Sequence, residues 1–172
     1  MNIEIEKSRK EDIQSIMPIF DEARRTIAKL GIDQWQNGYP NRDVIDTDID
    51  MSQSYSIKSN GEIIGTFALI ECEEPTYNKI YNGEWLTGNE RNCYFAVHRV
   101  TISVKCRGMG ISTAIINYCS DRAKEANKKS IRIDTHQGNI VMRRMLEKHD
   151  FAYCGIIHLS NGDERVAYEK LI

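Results

Sequence analysis

From Asn2 to Glu6 apolar and polar residues alternate, with Ile3 and Ile5 in register. That is the period of a short strand. The period then lengthens: Ile13, Ile16, Met17, Phe20, Ala23, Ile27 and Leu30 recur at helical spacing. Ser8 with Glu11 fits a capping box ahead of that helix, and Gly31 fits its C-terminal cap. Pro18 falls inside the pattern and is expected to kink or split it. Asp33 to Pro40, with Trp35 and Tyr39, reads as a loop. Asn41 is placed to cap a second helix running to about Met51.

Strand patterns over Ser54–Ser59 and Glu62–Ile70 flank Asn60-Gly61, the strongest hairpin signal in the chain. Glu71 to Asn92 is polar and irregular. Tyr94 to Ser103 is a long β-rich run, and Ile111 to Ala126 returns to helical period. A short strand over Ser130–Thr135 and a helix from Asn139 to His149 follow. Strands over Phe151–Leu159 and Glu164–Leu171 then meet around Asn161-Gly162, a second hairpin signal. The order is βααβββαβαββ. No linker, repeat or low-complexity segment interrupts it, so the pattern describes one mixed α/β domain over residues 1–172.

Composition narrows the function classes. The chain has 172 residues, 41% hydrophobic and 28% charged, ordinary for a globular domain. No stretch approaches the ~20 apolar residues of a membrane helix. The N-terminus lacks a signal-peptide core, so a cytoplasmic location is expected. The 23 Lys+Arg and 25 Asp+Glu give a net charge of −2, which argues against phosphate-driven nucleic-acid binding. The positive charge is concentrated: Val100 to Asp150 holds 10 Lys+Arg against 5 Asp+Glu, a net of +5. Solvated helix faces account for that; a polyanionic ligand also would. The five cysteines are dispersed with no C-x-x-C pair, so no metal site or disulfide framework is indicated.

The most informative stretch is Arg107-Gly108-Met109-Gly110-Ile111-Ser112, between a strand and an amphipathic helix. Glycines there let a ligand approach the backbone, and the helix start offers N–H groups and a positive dipole end. The pair suits a pyrophosphate. The turn lacks the Gly-Lys-Ser/Thr of a P-loop and the third glycine of a dinucleotide fingerprint.

Here the chain resembles the GNAT superfamily of N-acetyltransferases. Arg107-x-x-Gly110 matches its acetyl-CoA signature, Asn139 its helix-opening asparagine, and Glu147-Lys148-His149-Asp150-Phe151 its Glu-Lys-x-Gly-Phe helix ending. The element order is that family's over nearly the whole chain. Three positions depart. Ser112 stands where Gly or Ala is usual. Asp150 replaces a glycine, at an expected cost in strain. Leu146 stands where many members carry the tyrosine taken as general acid.

The resemblance implies a GNAT-like acyl-CoA N-acyltransferase fold, an α/β structure around a mixed sheet. It implies acetyl-CoA as co-substrate, lying between the strands that end near Ile102 and Thr135. Backbone groups of Val100, Thr101 and Ile102 would pair with the pantetheine arm. The turn Arg107, Gly108, Met109, Gly110, Ile111 and Ser112 would hold the pyrophosphate, and Asn139 would contact the cofactor arm. The partner is a small-molecule or peptide amine; a homodimer is left open.

Candidate bases come from strand parity. On Ser130 to His136, Arg132, Asp134 and His136 share one face, unusual for a central strand. Asp134 is a base or an ion-pair partner of Arg132 or Arg99. His136 is a base or a loop residue. His98, on the long strand, is a third candidate or a core histidine. Glu71 to Glu74 reads as a solvated turn, though its charge would suit an amine. The aromatics Tyr77, Tyr81 and Trp85 anchor that insert or line an acceptor pocket. The function expected is acetyl transfer to an amine by direct attack. A non-catalytic acyl-CoA-binding module on the same fold is the alternative, favoured by Leu146.

Overall fold

A computed structural model describes residues 2–172. Its elements, in chain order, are β1 (Glu4–Lys7), α1 (Ile13–Ala28), α2 (Arg42–Asp50), β2 (Ser54–Ser59), β3 (Glu62–Ile70) and β4 (Tyr94–Ile102). They continue with α3 (Ile111–Glu125), β5 (Ser130–Thr135), α4 (Ile140–Lys148), β6 (Ala152–His158) and β7 (Glu164–Leu171). Seven strands follow the order β1-β2-β3-β4-β5-β7-β6. The β4–β5 pair is parallel, whereas β1–β2, β2–β3, β5–β7 and β6–β7 are antiparallel. This is the expected element order and the expected mixed sheet.

The chain divides into two compact units. One comprises the chain through Leu69 together with Arg99–Ile115, the other Ile70–His98 together with Ile116–Ile172. In the first, α1 and α2 bury Ile13, Ile16, Phe20 and Ile45, with Met17, Trp35, Ile49 and Ile63 packed against them. Phe20 meets Trp35 edge-on at 5.7 Å. Asn60 and Gly61 both take positive φ, 50° and 80°, as a two-residue turn matched to strand twist requires. Asn41 caps α2, its side chain accepting the Val44 N–H at 3.0 Å.

Several expectations are corrected in this unit. Of the kink or split expected at Pro18, the split does not occur: α1 continues through it. Ile16 before it and Ile19 and Phe20 after it are buried, and this packing outweighs the one ladder bond a proline cannot donate. Helix α1 ends at Ala28, two residues before the expected Leu30, which is exposed. The cap also shifts by a residue. Arg9 N–H donates to Asp12 Oδ2 at 2.8 Å, while Ser8 Oγ turns to Ser56 Oγ at 2.8 Å.

In the second unit β5 is central, between β4 and β7. Its polar face is not a solvent face. Arg132, 2% exposed, places Nε 2.9 Å from Glu169 Oε1 of β7. Ser130 Oγ and Thr87 Oγ1 donate to the same carboxylate. The Arg132 guanidinium also lies over the Tyr94 and Trp85 rings, at 3.9 and 4.2 Å. The polar 71–92 segment is thus tied into the unit, with Tyr77 and Trp85 buried. Asp150 takes φ 62° before Phe151, the strained conformation expected where a glycine is replaced. Among the described residues no helix is long and apolar enough to cross a membrane.

Candidate active site

The first unit carries the glycine turn. Gly108 and Gly110 take φ of 76° and 79°. A Cβ built on either would meet no heavy atom within 4 Å, so the space beside the turn is open. The α3 ladder starts with Ala114 N–H donating to the Gly110 carbonyl at 3.2 Å. The amide edge of the turn therefore precedes the helical ladder. Arg107 and Met109 are exposed, Ile111 is buried in the core, and Ser112 is half-buried. Arg107 Nη2 reaches Thr26 Oγ1 at 3.4 Å.

Val100, Thr101 and Ile102 close β4. Thr101 is buried, with its carbonyl against Gly65 of β3, where an added Cβ would come within 2.9 Å. Val100 and Ile102 are half-buried. Before them, Arg99 takes φ 56°, rare for a long side chain inside a strand. Its guanidinium is gripped by Asp48 (Nη2 to Oδ1, 2.8 Å) and by the Tyr39 hydroxyl (2.7 Å).

The second unit carries the titratable groups. The parallel β4–β5 register ends at Ala96↔Arg132, while both strands run further. Just past that point His98 of β4 meets Asp134 of β5, with Nδ1 3.7 Å from Oδ1. The other ring nitrogen, Nε2, lies 3.1 Å from Glu74 Oε2. Tyr77 Oη donates to Asp134 Oδ1 at 2.7 Å. Glu74 is held in turn: Oε1 accepts from Thr76 N–H and Oγ1 at 3.2 and 2.8 Å. Its backbone N–H donates to Tyr94 Oη at 3.2 Å.

Burial pushes the Glu74 carboxyl up, but the His98 and Thr76 hydrogen bonds outweigh it and bring the group down to about 2. Burial, with Asp134 alongside, pushes the Tyr77 phenol well above its ordinary value. Glu74 is therefore an anion and Tyr77 a donor at neutral pH.

Of the expected bases, His98 and Asp134 are brought together. His136 sits in the turn before α4, where Nδ1 accepts the Gly138 N–H at 2.9 Å. Asp134 does not pair with Arg132 or Arg99; those arginines face Glu169 and Asp48. Glu74 is no solvated turn residue but a partner of His98. What sequence reasoning missed is that Glu74 and Tyr77 contact His98 and Asp134. One signal was available: Glu74-Pro75-Thr76 is a helix-cap sequence, and Glu74 caps a short 3₁₀ turn over Pro75–Tyr77. Asn139 caps α4, its side chain accepting the Met142 N–H at 3.2 Å.

A family model described as Acetyltransferase (GNAT) family matches residues 16–151. The chain belongs to the GNAT acetyltransferase family. A crystal structure of a GNAT-family acetyltransferase from Streptococcus agalactiae 2603 is 35% identical and covers 99% of this chain and 95% of its own, with a TM-score of 0.87. A GNAT-family acetyltransferase from Listeria monocytogenes 4b F2365 is 16% identical over 99% and 95% of the two chains, TM-score 0.74. The PaiA N-acetyltransferase of Thermoplasma acidophilum, solved in complex with coenzyme A, is 17% identical over 100% of both chains, TM-score 0.70. At the lower identities the likeness is one of fold. A search of curated proteins finds no match.

Proposed function

We propose that this GNAT acetyltransferase moves the acetyl group of acetyl-CoA to an amine, a small molecule or a peptide. The observation that carries the reading is the His98–Asp134 pair, half-buried where the parallel register of β4 and β5 ends. Acetyl-CoA, when bound, supplies an activated acetyl thioester. The open glycine turn fits its pyrophosphate: Arg107, Gly108, Met109, Gly110, Ile111 and Ser112 offer backbone amides at a helix start. Val100, Thr101 and Ile102 with Asn139 are the further residues assigned to the cofactor.

The chain's own part is proton handling. An alkyl ammonium has a reference pKa near ~10.4 and must shed a proton before its nitrogen is nucleophilic. We assign that task to His98 with Asp134, and not to His136. With Nδ1 accepting from Gly138, a neutral His136 carries its proton on Nε2 and has no lone pair left to act as base. Asp134, held by the Tyr77 hydroxyl, supplies negative charge that favours a cationic amine beside the imidazole.

Leu146 favours the binding-module alternative, since it has no proton to give. One assay decides between them: release of free coenzyme A thiol with a panel of amines, alongside direct coenzyme A binding. Transfer to at least one amine supports the enzyme. Binding without transfer across the panel supports the module, and no binding at all overturns both.

A further inference from the structure

We propose that Glu74 is a positioning residue for the base: it holds the His98 imidazole with its proton on Nε2, which leaves Nδ1 to take the proton from the acceptor amine. The inference rests on the functional reading above and deepens it.

Geometry carries it. Glu74 Oε2 lies 3.1 Å from Nε2 of His98, within hydrogen-bond reach. An ionised carboxylate only accepts, so a neutral imidazole there must donate, and its proton must sit on Nε2. The opposite tautomer would aim a lone pair at the carboxylate. Nδ1 then carries the free lone pair, 3.7 Å from Asp134 Oδ1, too far for a direct hydrogen bond. A lone pair and a carboxylate oxygen side by side are two acceptors, the complement of an ammonium N–H.

The support for Glu74 is rigid. Thr76 gives its carboxylate two donors, and Tyr94 fixes its backbone. The groups facing His98 are Glu74, Asp134 and the Tyr77 ring at 5.7 Å. In the step itself the proton leaves the ammonium nitrogen for Nδ1. The resulting imidazolium has a carboxylate at each nitrogen, and the proton is later released to water.

The test is nitrogen–proton correlation NMR of histidine-labelled protein without ligand, at a pH where the ring is neutral. The His98 signals are assigned by their loss in His98→Asn. The wild type is expected to show the Nε2-protonated tautomer. In Glu74→Gln, whose amide can donate as well as accept, the Nδ1-protonated form should appear. Acetyl-transfer kcat should fall roughly 10- to 100-fold, part of the ~10²–10⁴ available to a general base, with KM for acetyl-CoA within about twofold. A merely structural role would not move the tautomer. An Nδ1-protonated His98 in the wild type overturns the proposal however active the enzyme is, and needs no Glu74 variant to fold. An unchanged tautomer and kcat in folded Glu74→Gln also overturns it. A wild type that binds coenzyme A and transfers nothing overturns the transferase reading instead, whatever tautomer His98 shows.

Discussion

At Glu74 two effects of opposite sign meet: burial favours the neutral acid, and donors from His98 and Thr76 favour the anion. The donors win, and the carboxyl stands at about 2 against an ordinary 4.5. The sign for stability follows. The folded protein binds fewer protons here than the unfolded chain, so this group stabilises fully above about 4.5 and loses its contribution as pH falls toward about 2. The stability advantage of wild type over Glu74→Gln should therefore shrink through that acid window. Urea midpoints of the two proteins across pH measure it; parallel curves would refute the assignment. Asp134 gives a second expectation. Asp134→Asn keeps an oxygen for the Tyr77 hydroxyl and removes the charge beside His98. The transfer rate should fall by roughly 10²-fold with coenzyme A affinity unchanged. Equal rates, measured as thiol release, would remove Asp134 from the mechanism. Of these residues Asp134 and His98 were legible from strand parity. Glu74 was not, because it reaches His98 across 24 residues, through a segment with no periodicity to place it.

At the scale of elements, a buried ion pair helps tie the 71–92 segment to the strands beneath it. Arg132 on β5 and Glu169 on β7 share it, and Thr87 of the segment joins both. Burial raises the Glu169 carboxyl, but Ser130, Thr87 and Arg132 together hold it below its ordinary value. Removing one partner leaves the other charge buried and unpaired, which costs ~3–5 kcal/mol. Glu169→Ala should thus lose about that much in chemical denaturation and also release the segment that carries Glu74. A loss under ~1 kcal/mol would show that the pair is not what anchors it. The elements themselves were largely legible: both hairpins, the Asn41 cap and the strand–turn–helix at Gly108 follow from local chemistry. What failed was local chemistry overruled by packing. Pro18 reads as a kink or a break, yet α1 is not split, because its buried face is contiguous on both sides of it. Leu146, which has no proton to give, is fully buried and belongs to the core of its unit. Leu146→Tyr should consequently overpack that core, costing ~1–3 kcal/mol, and raise the transfer rate less than about tenfold, short of a full general-acid contribution. A hundredfold gain in the same thiol-release assay would overturn this reading.

At the scale of the whole molecule the candidate residues fall in two units: the glycine turn and the end of β4 lie in one, the Glu74–His98–Asp134–Tyr77 group in the other. Strand β4 and helix α3 each contribute to both. A global measurement can therefore interrogate the turn without touching the titratable group. A ligand that binds only the folded state at a hundredfold over its Kd stabilises by ~2.7 kcal/mol. For a chain of 172 residues each kcal/mol moves the midpoint by ~2–4 °C, so coenzyme A should raise the Tm by roughly 5–11 °C. Gly110→Val is the informative variant. The position takes φ 79°, so any side chain there pays a left-handed penalty of ~1–2 kcal/mol. An added Cβ would meet no atom within 4 Å beyond its chain neighbours, so the fold should persist with a lowered Tm. The isopropyl group instead occupies the open space beside the amides. Gly110→Val should melt cooperatively and lose the coenzyme A shift, while His98→Asn should keep the shift and lose the transfer. A folded Gly110→Val protein whose Tm still rises fully with coenzyme A would show that the pyrophosphate is held elsewhere than at this turn.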